Sequence, residues 1–141
     1  MSKLRFTCLA FALAQSISAT AATDIAITPT FDTAFRWSVQ ASAAAAQINP
    51  KIELRRGDTY VFDVTTSASH PFWINTQAGT GTAFAYTSPS LSANGVSAPS
   101  TITFTVPADA PDQLFYNCEF HGTMSGVLDI PLFKDGFEAS P

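Results

Sequence analysis

A chain of 141 residues that is 46% hydrophobic and 13% charged suits one compact globular domain better than two domains or a disordered polymer. Its formal charge is −4. Removing Lys3 and Arg5, which belong to the first segment below, from the seven Lys and Arg leaves five against eleven Asp and Glu, a formal −6 that argues against nucleic acid as a partner.

Residues 1–22 read as a secretory signal. Lys3 and Arg5 make a basic start, Cys8 to Ala14 form a short apolar run, and Ala19-Thr20-Ala21 is an A-x-A cleavage site. The run is far shorter than the roughly 20 residues that span a bilayer, and no later stretch is a membrane-spanning candidate. The expectation is an exported protein, periplasmic or secreted, cut after Ala21 or Ala22. Cys8 leaves with the signal, so Cys118 remains as a lone thiol in an oxidising compartment. That rules out an internal disulfide and points to a task such as metal binding.

Residues 23–131 form the expected domain, and its texture is β. Candidate strands run in order through Ile25–Thr28, Phe35–Val39, Lys51–Arg55, Thr59–Thr65, Phe72–Ile74, Ala83–Tyr86, Thr101–Val106, Leu114–Asn117 and Gly126–Ile130, nine segments for an expected sandwich of about eight short strands. Thr101–Val106 is the clearest, with Ile102, Phe104 and Val106 on one face and three threonines on the other. Arg56-Gly57-Asp58 supplies turn chemistry between Lys51–Arg55 and Thr59–Thr65, which suggests a strand–turn–strand unit. Ala41–Ala46, a candidate for one helical turn, and Thr76–Ser100 read as connections. Leu132–Pro141 reads as a C-terminal tail.

The chemistry concentrates near the C-terminus, where Cys118, His121 and Met124 stand at C-x-x-H-x-x-M spacing between two predicted strands. A tight loop there can turn three side chains onto one point, with Gly122 and Gly126 relieving its backbone. Thiolate, imidazole and thioether together suit copper, because both sulfurs are soft. A further imidazole is needed, and the chain's other histidine is His70, which follows a strand expected to lie beside the Cys118 strand.

With these residues in view, the chain resembles the cupredoxin, or plastocyanin-like, family. The likeness covers roughly residues 49–130: an early His after a strand, then Tyr116-x-Cys118-x-x-His121-x-x-Met124-x-Gly126-x-Leu128-x-Ile130, with Asn49-Pro50-Lys51-Ile52-Glu53-Leu54 and Phe104-Thr105-Val106-Pro107 also matching. The resemblance implies an all-β Greek-key sandwich, one copper ion held by His70, Cys118 and His121 with Met124 as a weak axial ligand, and one-electron transfer to a transient redox partner by a monomer. It also implies that His121 passes electrons at the surface, with Phe72, Trp73, Phe120 and Met124 as candidates for the neighbourhood. One departure is Pro71, since relatives often place an N–H donor to the thiolate just after the first His and proline has none. The Phe120 amide remains available for a second such bond.

Other readings carry less weight. Zinc could use Cys118, His70 and His121, but a thioether suits it poorly. A Cys118/His121 nucleophile lacks an orienting third group and an oxyanion site. A multicopper enzyme needs more histidines than the two present. The remaining rivals to an electron carrier are a copper carrier or buffer using the same ligands, and a metal-free interaction module of the same fold.

Overall fold

A computed structural model describes residues 22–29, 35–41 and 44–132, so the expected signal up to Ala21 and the tail beyond Leu132 lie outside the described residues. Nine strands are described: β1 (Thr23–Pro29), β2 (Trp37–Ala41), β3 (Gln47–Ile48), β4 (Ile52–Glu53), β5 (Thr59–Val64), β6 (Phe72–Asn75), β7 (Ser100–Thr105), β8 (Gln113–Cys118) and β9 (Ser125–Asp129). They build two mixed sheets, ordered β3-β2-β1-β5-β7 and β4-β9-β8-β6. The all-β sandwich expected from the alternating pattern is therefore present, and no helix is found among the described residues.

The period-two pattern decides which side chains meet between the sheets. Tyr60, Phe62 and Val64 of β5, with Ile102 and Phe104 of β7, point inward from one sheet. Phe72 and Ile74 of β6, with Leu114, Tyr116 and Cys118 of β8, point inward from the other. Trp37 enters from the start of β2 and meets Phe72 edge-on, ring centroids 5.3 Å apart. Burying each of the large apolar side chains among these contributes about 1.5–3 kcal/mol.

Several expectations need correction. Lys51–Arg55 and Thr59–Thr65 do not form one paired unit. Gly57, with a φ of 86°, does turn the chain, but β4 pairs parallel with β9 while β5 pairs parallel with β1 and antiparallel with β7, in the opposite sheet. Alternation reports which face of a strand is buried, and a turn reports a change of direction. Neither names the strand alongside. Likewise β5, the strand preceding His70, is in the sheet opposite Cys118; β6, which His70 introduces, is the strand that pairs with β8.

Ala83–Tyr86 is not a strand beyond an isolated bridge of Ala85 to Asn75. The Asn94 side chain replaces ladder bonds here, accepting from Ile74 N and donating to the Ile74 and Tyr86 carbonyls. The strand expected from Phe35 starts at Trp37, because Phe35 has a φ of 44°. The two-residue β3, exposed throughout, carries no alternation that would announce it. Ala41 closes β2 and Ala44 N donates to Ala41 O at 3.0 Å, while residues 42–43, inside the expected Ala41–Ala46 connection, lie outside the described residues. Residues 76–99 are a connection, as expected.

Candidate metal centre

The register of one strand pair brings the distant halves of the site together. Phe72 of β6 lies opposite Cys118 of β8. His70, just before β6, is thereby set beside Cys118 at the end of β8, and the loop leading to β9 carries His121 and Met124. Pro71 O accepts from Glu119 N at 3.1 Å, and Thr66 Oγ1 donates to His70 O at 2.6 Å, which fixes the approach of the first histidine.

The loop is tied at both ends. Cys118 N donates to Met124 O at 2.8 Å, and Met124 N to His121 O at 3.0 Å. The Trp37 indole N–H reaches the same Met124 carbonyl at 3.1 Å from the opposite sheet. Asn49, at a φ of 43°, accepts from Trp37 N through Oδ1 and donates from Nδ2 to Thr123 O at 2.7 Å, while the Thr123 hydroxyl donates to Phe35 O at 2.9 Å. Asn117, buried beside Cys118, accepts from the Ser125 hydroxyl at 2.6 Å. Trp37, Asn49, Thr123 and Phe35 went unnoticed as site residues in the sequence; the one signal available was asparagine's tolerance of the left-handed backbone region at position 49.

His70, Cys118 and His121 each turn one ligand atom inward, and these three atoms lie within 4.8 Å of one another. Cys118 Sγ is 3.9 Å from His70 Nδ1 and 3.5 Å from His121 Nδ1. Two ligands about 2.1–2.3 Å from a shared ion and 120° apart stand roughly 3.8 Å from each other, so the spacing fits a trigonal metal site. Met124 is wholly buried in the same loop.

The electrostatics suit a neutral His70 ring facing a thiol. Burial pushes the Cys118 thiol up, while the amides of Phe120 and His121, both donating to its sulfur, pull it back down. The expected Phe120 donor is thus in place, with His121 as an additional one. Burial, and then the nearby His121, lower the pKa of His70, which keeps its ring uncharged and able to bind a cation. Of the four candidates for the neighbourhood of His121, Phe72 is the one of the Phe72–Trp73 pair that points inward, and Met124 is also buried. Trp73 is half-buried and donates to Glu119 Oε2 at 3.1 Å, and Phe120 is 56% exposed.

Comparison with solved structures gives consistent matches. A substituted rusticyanin aligns with a TM-score of 0.52 at 15% identity, over 77% of this chain and 76% of that one. A second rusticyanin variant gives 0.52 at 14%, over the same shares. Reduced rusticyanin gives 0.50 at 17%, over 77% and 78%.

The fold is cupredoxin-like.

No protein-family model matches the chain, and no curated protein sequence matches it. At these identities the likeness is one of fold.

Proposed function

We propose that this chain is an exported blue-copper protein that holds one copper ion through His70, Cys118 and His121, with Met124 as a weak axial ligand, and carries single electrons between redox partners. The observation that carries the reading is the convergence of the His70, Cys118 and His121 ligand atoms within 4.8 Å, although His70 and Cys118 are 48 residues apart in sequence. Its chemistry favours copper over zinc, since the loop adds a thioether to one thiolate and two imidazoles. Bound copper would supply a one-electron couple.

The protein's part is to hold that geometry in both states. The Met124 carbonyl, gripped by the Cys118 amide and the Trp37 indole, and Thr123, gripped by Asn49, keep the loop from relaxing. The Phe120 and His121 amides steady the thiolate. A rigid ligand set disfavours release of the ion and favours electron carriage over copper buffering. The half-buried His121 gives an outlet for the electron, and the signal at residues 1–22 accounts for a site that relies on a single thiol.

The test is to express residues 23–141, add Cu(II) and record the visible spectrum. An intense blue colour from thiolate-to-copper charge transfer, lost in His121→Ala, is expected, with rapid electron self-exchange. Colourless protein overturns the reading. Ready transfer of copper to a chelator with slow self-exchange moves it to a copper buffer.

A further inference from the structure

Phe35 lies over both imidazoles. Its ring stacks on His121 with centroids 4.9 Å apart at 30°, and sits 5.5 Å from the His70 ring; the two histidine rings are 4.7 Å from each other. Even so, 40% of Phe35 is exposed, so its ring contacts the imidazoles without being sunk in the core. Its φ of 44° is a conformation that bulky side chains keep only where the surroundings hold them. The restraint comes from the ligand loop itself, through the 2.9 Å bond from the Thr123 hydroxyl to Phe35 O. Apolar burial alone would place this ring in the sandwich with Trp37 two residues later. Instead the backbone is strained to lay it across two histidines.

We propose that Phe35 is a positioning residue of the metal centre, an aromatic cap that holds the His121 and His70 rings at their inward angle and limits exchange of the ion and of small anions with solvent. The proposal rests on the metal-binding reading above. Because the cap is tied to Thr123, in the loop between His121 and Met124, it stays registered to the ligands it covers. The ring lies against the imidazoles through dispersion and quadrupole contacts, which set orientation without charge.

The test compares wild type, Phe35→Ala, Phe35→Trp and, as an exposed aromatic on the 76–99 connection, Phe84→Ala. Transfer of Cu(I) to bicinchoninate is followed by stopped flow. Phe35→Ala is expected to release copper about three- to tenfold faster, the range of one aromatic contact. Phe35→Trp should restore the slow rate and Phe84→Ala should keep it. Azide should alter the visible spectrum of Cu(II)-loaded Phe35→Ala and leave that of wild type unchanged. In the metal-free protein, the ring-current displacement of the His121 imidazole protons should vanish in Phe35→Ala while the backbone amide spectrum is retained. A blue wild type whose Phe35→Ala variant matches it in release rate, azide response and imidazole shifts overturns the cap. A wild type that takes up no copper overturns the metal-binding reading and the exchange role with it, and the metal-free imidazole shifts still decide whether Phe35 orients the rings.

Discussion

Around the Cys118 sulfur, the backbone donors come from the loop that follows it, the amides of Phe120 and His121. Pro71, directly after His70, contributes no N–H and instead offers its carbonyl to Glu119 N. A donor to a thiolate withdraws electron density from it, and its absence favours the more oxidised metal. Pro71→Ala, which restores an N–H at this position, is therefore expected to raise the reduction potential by on the order of 40 mV. That is the worth of one hydrogen bond spread over a one-electron couple. Voltammetry of the two proteins checks it, and an unchanged or lower potential refutes the assignment. At this scale the candidate ligands were legible in the sequence because soft donors at fixed spacing are rare. Phe35 and Thr123 were not, since an aromatic before a strand and a threonine in a loop look the same whether or not they face a site.

Among the elements, the turn between β4 and β5 shows how the two sheets are held in relation. Arg56 donates to the carbonyls of Ala108, Ala110 and Ile130 and to Asp112 Oδ1, at distances from 2.6 to 3.1 Å. Its side chain is only 14% exposed while that of Asp112 is 66% exposed, so the ion pair is well solvated and the carbonyl contacts matter more. Arg56→Lys, which keeps the charge and loses the planar fork, should cost about 2 kcal/mol, whereas Asp112→Ala should cost less than about 1 kcal/mol. Urea denaturation measures both, and the reverse order would make the ion pair the principal tie. The strands with alternating apolar faces, β5, β7 and β8, were readable in advance because burial on one side leaves a period of two. The pairing of β4 with β9 and the two-residue β3 were not, since register and short edge pairing depend on residues far away in the chain.

For the molecule as a whole, a formal charge of −4 sets the long-range field. An exposed Phe120 and Phe35 beside the half-buried His121 give a small apolar contact surface on that acidic body. Electron-transfer encounters are brief and use little area, so charge governs how often they occur. We expect the second-order rate of reduction by a basic haem protein to fall about tenfold between low and physiological ionic strength, as the screening length shrinks from roughly 30 to 8 Å. Stopped-flow measurements across that range decide the point, and a flat response excludes electrostatic steering.

The pairing of Phe72 with Cys118 also imposes an order on maturation. A chain still emerging offers one isolated imidazole at position 70 and, much later, a thiol and its neighbour; neither grips a cation firmly alone. Only when β8 docks against β6 and β9 closes the hairpin do these groups become a single socket. Under the proposed copper reading, the ion is bound only by the folded polypeptide, so the compartment of folding determines where it is acquired.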